Sequence, residues 1–269
     1  MILFTKQGAI AMTHSNASPV KAEPAIFPAT LSAAQAALAR LTPLATSFHP
    51  DFYMSVGAVP LPPLELVKRV GSEDVANFLY VCDQWAQIAG RLMRPGTRVL
   101  DIGAGCGKPA RAFLYNPHVL EYIGLDVDPD LVNWSNEYLR PASSKRFLFA
   151  WLDVQSDTYA QGGTVRAEDA VFPVQEGYFN FVIAASLFTH LQEAAARNYL
   201  KQTRRACSVG ATLLASLHIE PVGGPTSGNT DRVDYSRDYF AELAADVGWT
   251  LTLPLGELAG QEALLFLAN

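Results

Sequence analysis

The sequence predicts an α/β fold built on a mostly parallel sheet with helices on both faces. Three observations carry that expectation. Short apolar runs of strand length alternate with segments of helical periodicity from residue 72 onward. The first of these runs, residues 99–102, leads directly into glycines at 103, 105 and 107 and then Pro109. Such a strand–turn–helix junction presents free backbone N–H groups to a ligand. The last two runs, 249–255 and 263–267, stand close enough to pair antiparallel.

Composition sets the outer bounds. A chain of 269 residues allows one large α/β domain, alone or with an added segment, and buries enough core to need no disulfide or metal staple. A net charge of −6 and a pI near 5.4 argue against a protein that wraps nucleic acid with a basic face. Cys82, Cys106 and Cys207 are odd in number, widely spaced and match no zinc pattern, which points to a reducing compartment. The apolar start at 2–4 is too short for a signal peptide, and no apolar run reaches about 18 residues, so no membrane span is expected. A cytoplasmic enzyme is the expectation.

In chain order, residues 1–29 mix Ser, Thr, Pro and isolated apolar residues without periodicity. Leu31, Ala34, Leu38 and Leu41 then fall at helical spacing between Thr30, an acceptable N-cap, and Pro43. Pro60, Pro62 and Pro63 keep the next stretch extended. Residues 1–71 are thus expected to form an arm with a short helix, partly mobile, lying over the ligand edge of the sheet as a lid. The main domain is expected over 72–269. It opens with a helix over 72–93, whose apolar stripe is Val75, Phe78, Cys82, Trp85, Ala89 and Leu92. Glu73 and Asp74 lie at its positive end, and Arg91 and Arg94 at its negative end.

The glycine turn after the first strand admits three ligands. A P-loop reading fails twice, because Ile102 falls at its first glycine and Pro109 at its hydroxyl position. A dinucleotide fingerprint can be forced from Gly105, Gly107 and Ala110, with its first glycine late. The third reading takes Asp101 with the glycines as Asp-x-Gly-x-Gly-x-Gly. Cys106, inside the turn, reads as a small residue that fits there rather than a nucleophile.

Tyr122, Ile123 and Leu125 mark a second strand ending on Asp126, placed about 20 residues beyond the turn to accept both ribose hydroxyls of a nucleotide ligand. Asp128 precedes Pro129 and is assigned the cap of the following helix, whose inner face is Leu131, Trp134 and Tyr138. Residues 147–153 read as a third strand. The turn-rich stretch 155–177 reads as a functional loop at the carboxyl ends of the strands. A fourth strand over 179–185 passes through Ser186-Leu187-Phe188-Thr189-His190-Leu191 into a helix with Glu193 early and Lys201, Arg204 and Arg205 late. Gly210 is expected to end that helix before a fifth strand over 211–219. Residues 221–231 read as a loop, and Ser236 opens a helix stopped by Gly248.

With Asp101 included, the turn resembles motif I of the class I S-adenosylmethionine-dependent methyltransferases. The likeness runs from Leu61 to the C-terminus and lies in the order of its parts. These are Leu61-Pro62-Pro63, the glycine turn, Tyr122-Ile123-Gly124-Leu125-Asp126, Phe172-Pro173, Phe188-Thr189-His190-Leu191 and Gly260-Gln261-Glu262. The chain is similar to a small-molecule subgroup with a Phe-Thr-His-Leu signature. The resemblance implies a Rossmann-like, mostly parallel seven-stranded sheet with an antiparallel C-terminal strand. It also implies S-adenosyl-L-methionine as cofactor, with no metal. Asp101 would reach the methionine part, the glycine backbone would line it, and Asp153 would accept from the adenine amino group. A turn role for Asp153 is an equal alternative. The implied cofactor lining is Asp101, Gly103, Ala104, Gly105, Gly107, Asp126, Val127, Asp153, Val154 and Ser186. The chain departs from the family pattern at Lys108, where Arg is usual, and at Cys207-Ser208-Val209-Gly210, where Lys-Pro-Gly-Gly is usual.

Methyl transfer asks the protein chiefly to hold acceptor, methyl and sulfur in line. A hydroxyl acceptor also needs a base, and His190, following the fourth strand at the binding edge, is the leading candidate. His190 can instead help start the helix, and His218 is the second candidate. The expected partner is a small molecule, neither nucleic acid nor membrane. Two rival readings stay open: a nicotinamide-dependent oxidoreductase, and a non-catalytic S-adenosylmethionine-binding partner protein. The acceptor, the atom methylated and the oligomeric state are not legible in the sequence.

Overall fold

The computed structural model describes residues 59–269 except 157, 160 and 161. The arm, the helix behind Thr30 and most of the 1–71 segment lie outside the described residues. The described residues open with a short helix α1 (Leu64–Arg69) and then α2 (Val75–Leu92). A strand β1 (Thr97–Ile102) follows, with α3 (Lys108–Phe113), β2 (Val119–Asp126) and α4 (Pro129–Trp134) after it. Next come β3 (Arg146–Trp151), β4 (Phe179–Ala184), α5 (Glu193–Ala206) and β5 (Cys207–Leu217). A small hairpin of β6 (Thr226–Asn229) and β7 (Arg232–Tyr235) precedes α6 (Arg237–Ala245), β8 (Trp249–Leu258) and β9 (Gln261–Ala268).

Seven strands form one sheet in the order β3-β2-β1-β4-β5-β9-β8. The first five run parallel, β9 runs antiparallel to β5, and β8 antiparallel to β9. This is the Rossmann-like architecture expected. Because β1 pairs with β2 on one side and β4 on the other, the strand order reverses at β1. A crevice therefore opens beyond the carboxyl ends of β1 and β4, where open α/β sheets bind ligands.

Alternation along β1 divides the core. Leu100 and Ile102 join one buried cluster with Val182, Phe240 and Phe266. Val99 faces the other way, into a cluster with Phe78, Trp85 and Tyr122. Trp134 lies in that second cluster, stacked on Tyr138 with ring centroids 5.6 Å apart, so it belongs to the core. The α2 stripe is buried at Phe78, Cys82, Trp85 and Ala89.

Several boundaries differ from expectation. The second helix starts at Val75 rather than near Ser72, because the Asp74 carboxylate accepts the Asn77 N–H at 2.7 Å and fixes the cap there. Asp128 caps α4 as expected, accepting from the Asp130 N–H at 3.0 Å, and Ser236 caps α6. Gly210 does not end α5, which stops at Ala206. Instead β5 begins at Cys207, and Gly210 sits within it at φ +75°. There the pairing steps from Phe179–Cys207 to Phe181–Thr212, a bulge that uses the positive φ. Residues 221–231 are not all loop. Thr226–Asn229 pairs antiparallel with Arg232–Tyr235, and the Asn229 side chain accepts the Asp231 N–H to shape the turn.

Candidate active site

A cavity of about 920 Å³ opens at the strand reversal. Its walls include Gly103, Ala104 and Gly105 from the turn, Asp126 and Val127 after β2, Val154, and Ser186 and His190 after β4. The turn earns its shape from three glycines in the left-handed region, at φ +73°, +56° and +80° for 103, 105 and 107. Gly107 does not line the cavity. A Cβ there would meet Leu139 Cδ1 at 2.3 Å, so this glycine serves the packing of α3 against the segment that follows α4.

Asp126 holds the turn in place. Its Oδ2 accepts the Gly105 N–H at 2.7 Å and its Oδ1 accepts the Asp128 N–H at 2.9 Å. Burial pushes its pKa up to about 6 against those hydrogen bonds. Asp101 lies one layer deeper, fully buried and outside the cavity lining. Its Oδ2 accepts from the Tyr122 hydroxyl, its Oδ1 has no partner among the described residues, and burial raises its pKa to about 7. Asp153 also stands outside the lining. Both of its oxygens are held by Thr164, one by the backbone N–H at 2.8 Å and one by the hydroxyl. Cys106 is buried with its thiol pKa pushed up to about 12, which leaves no thiolate for catalysis.

After β4 the chain makes a single tight turn, Phe188–His190, before α5. Ser186 takes φ +55°, a strained value for a residue with a side chain. Its N–H donates to Ser216 Oγ at 2.9 Å, and its carbonyl accepts from the Thr189 hydroxyl at 2.7 Å. This clamp delivers His190 to the cavity. The imidazole Nδ1 lies 3.1 Å from the Thr230 carbonyl in the β6–β7 turn, and Nε2 lies 3.0 Å from the Tyr159 hydroxyl. A carbonyl only accepts, so Nδ1 donates to it, which leaves the Nε2 lone pair as the acceptor for the Tyr159 hydroxyl. The Tyr159 ring stands edge-on to the imidazole, with centroids 5.2 Å apart. His218 is not in the lining, and its backbone carbonyl accepts the Tyr235 N–H at 2.9 Å, tying β5 to β7.

Sequence reasoning missed Tyr159 and the Thr230 carbonyl. The loop holding Tyr159 was legible as functional, but no local pattern pairs a tyrosine with a histidine 31 positions later. It also missed the Asn77, Tyr80 and Gln84 face of α2, which lines the cavity beside the expected apolar stripe. Those positions follow helical spacing, so a second, polar stripe was there to be read.

No protein-family model matches the chain. Among solved structures it is similar to a S-adenosylmethionine-dependent methyltransferase from Methanosarcina mazei, at 13% identity and a TM-score of 0.51, over 67% of this chain and 96% of that one. It is similar to the pyocyanin biosynthetic protein PhzM at 14% identity and a TM-score of 0.54, over 87% and 69%. The [4+2]-cyclase SpnF aligns at 17% identity and a TM-score of 0.50, over 70% and 63%. At these identities the likeness is one of fold. The chain has the Rossmann-like fold of S-adenosylmethionine-dependent methyltransferases.

Proposed function

We propose that this protein transfers a methyl group from S-adenosyl-L-methionine to a hydroxyl oxygen of a small molecule, such as a sugar or natural product, with His190 as base. One observation carries the reading. A single cavity holds the glycine turn, an acid at the end of β2, and a histidine whose Nδ1 on a backbone carbonyl leaves Nε2 as the acceptor.

The residues present fit the cofactor. Positive-φ glycines bring bare backbone to the cavity wall, and each Asp126 oxygen keeps lone pairs beyond its one backbone donor. The volume has room for a nucleoside and a small acceptor together. When bound, the cofactor supplies an electrophilic methyl group on a sulfonium. The chain's own work is then placement and proton removal. An acceptor hydroxyl that takes the place of Tyr159 at Nε2 gives its proton to His190, while Nδ1–H stays on the Thr230 carbonyl. The domain in this reading is 72–269, and the segment before it lies over the cavity. Arg69, Val70 and Gly71 in the cavity lining support that placement. The three free, buried cysteines fit a cytoplasmic protein.

The test is His190→Ala assayed with labelled cofactor across an acceptor panel and across pH. The reading expects lost turnover and loss of the acidic limb of the rate profile, with S-adenosylhomocysteine affinity kept. Turnover near wild type would make His190 structural. Because the fold also carries the cyclase SpnF, labelled product and not binding alone decides the activity.

A further inference from the structure

We propose that Lys108 and Gln84 form the subsite for a zwitterionic amino-acid end on the ligand, with the lysine ammonium taking the carboxylate and the Gln84 carbonyl oxygen taking the ammonium. The inference rests on the cofactor reading above and assigns that ligand's far end to residues of this chain.

Two unmet needs in one cavity point to it. Four cations and imidazoles line the cavity among the described residues: Arg69, Lys108, Arg166 and His190. Arg69 is spent on Asp128 and Asp130, and Arg166 on Glu168 and Asp169. His190 is held between Thr230 and Tyr159. Among the three cations, Lys108 alone has no carboxylate partner among the described residues. It is partly buried, and among the described residues only one of its three N–H donors has a partner, the Val70 carbonyl. Burial lowers its pKa, and no carboxylate opposes that shift. A cation withdrawn from water without a counter-charge is stabilised by any anion that enters beside it.

Gln84 supplies the complementary need. Its Nε2 donates to the Tyr80 hydroxyl at 3.1 Å, while its Oε1 is buried without a donor among the described residues. A buried carbonyl oxygen left unpaired favours a ligand that brings N–H donors. One free cation next to the glycine turn and one free acceptor on α2, both in the lining of the same cavity, match the carboxylate and the ammonium of an amino-acid end. A nucleoside carries no anion for the lysine.

The experiment is calorimetry of the full chain with two probes, S-adenosylhomocysteine and 5′-methylthioadenosine, which share the nucleoside while the second lacks the amino-acid end. Lys108→Met is expected to weaken S-adenosylhomocysteine about 10- to 100-fold and leave methylthioadenosine within about twofold. Lys108→Arg should keep most of the affinity, and Gln84→Leu should show a smaller loss with the same selectivity. Thermal melts of each variant register any folding defect, and the ratio of the two affinities in one sample is independent of the folded fraction. An unchanged ratio in Lys108→Met overturns the proposal while leaving the cofactor reading intact. Wild-type protein that binds neither probe overturns both.

Discussion

Replacing Asp126 by Asn tests the cofactor wall most sharply, because the change keeps shape and removes one charge. In the native chain both carboxylate oxygens accept a backbone N–H, from Gly105 at 2.7 Å and Asp128 at 2.9 Å. An amide keeps one of these acceptors and turns its NH₂ toward the other N–H. That leaves a buried donor unpaired, at about 1–3 kcal/mol of stability. On the proposed ribose assignment the larger effect falls on the ligand, since two ribose hydroxyls would lose a charged acceptor. Loss of that pair costs on the order of 2–4 kcal/mol, or about 30- to 1,000-fold in Kd. The assay is titration calorimetry with S-adenosylhomocysteine between pH 5 and 8. Hydroxyl donors favour the charged carboxylate, whose pKa in the ligand-free protein is about 6. Wild-type affinity should therefore fall as pH drops below about 6, approaching tenfold per pH unit, while the Asn variant stays weak and flat. Equal affinity of the two proteins at pH 8, or the same pH slope in both, would refute the ribose assignment.

Other expectations follow from the same geometry. Gly105→Val adds a Cβ 2.7 Å from Val70 Cγ1 at φ +56°, and should abolish S-adenosylhomocysteine binding while far-UV circular dichroism keeps the sheet signal. Asp101 has a folded-state pKa of about 7, above its unfolded value, so the stability it favours is full below about pH 4 and is lost as pH rises through 7. The Asp101→Asn variant should lack that slope, a difference on the order of 4 kcal/mol between pH 4 and 8 in denaturant titrations of ligand-free protein. Gly228→Ala places a Cβ 2.0 Å from the Arg232 carbonyl at φ +101° and should distort the β6–β7 turn. Nitrogen-15 NMR of His190 should then show Nδ1 protonation giving way to a mixture of tautomers. A Tyr159→Phe variant should leave that tautomer unchanged, because the Thr230 carbonyl alone fixes it.

Much of the frame was legible because it rests on local rules. The parallel strands are buried on both faces, so 99–102 and 122–125 stand out as apolar runs. Asp128 and Ser236 announce helix starts by chemistry that acts within three residues. The β6–β7 hairpin escaped because Thr226–Asn229 has no buried face, so its sequence carries no apolar alternation to mark a strand. The end of α5 escaped for a similar reason: β5 starts where β4 offers a partner, not where a glycine stands. Within the site, identity was easier to read than placement. Asp101, Asp126 and Asp153 each end or follow a strand, yet only Asp126 faces the cavity. What turns the other two away is a hydroxyl distant in sequence, Tyr122 for one and Thr164 for the other.

The β6–β7 hairpin stands outside the seven-stranded sheet, yet its turn carbonyl orients His190. In the proposed reading, the nucleoside side of the cavity is framed by strand ends that the sheet cannot move without unfolding. The proton-accepting side would hang on a ten-residue excursion, 226–235, whose outer strand buries nothing. Acceptor chemistry would then be free to drift with loop length while the nucleoside grip stays constant. For an engineer the hairpin is the place to graft. In the proposed reading, exchanging its outer strand and turn, 226–231, would retune the base and the rim against a new alcohol while the buried Val233 and Tyr235 stay in place.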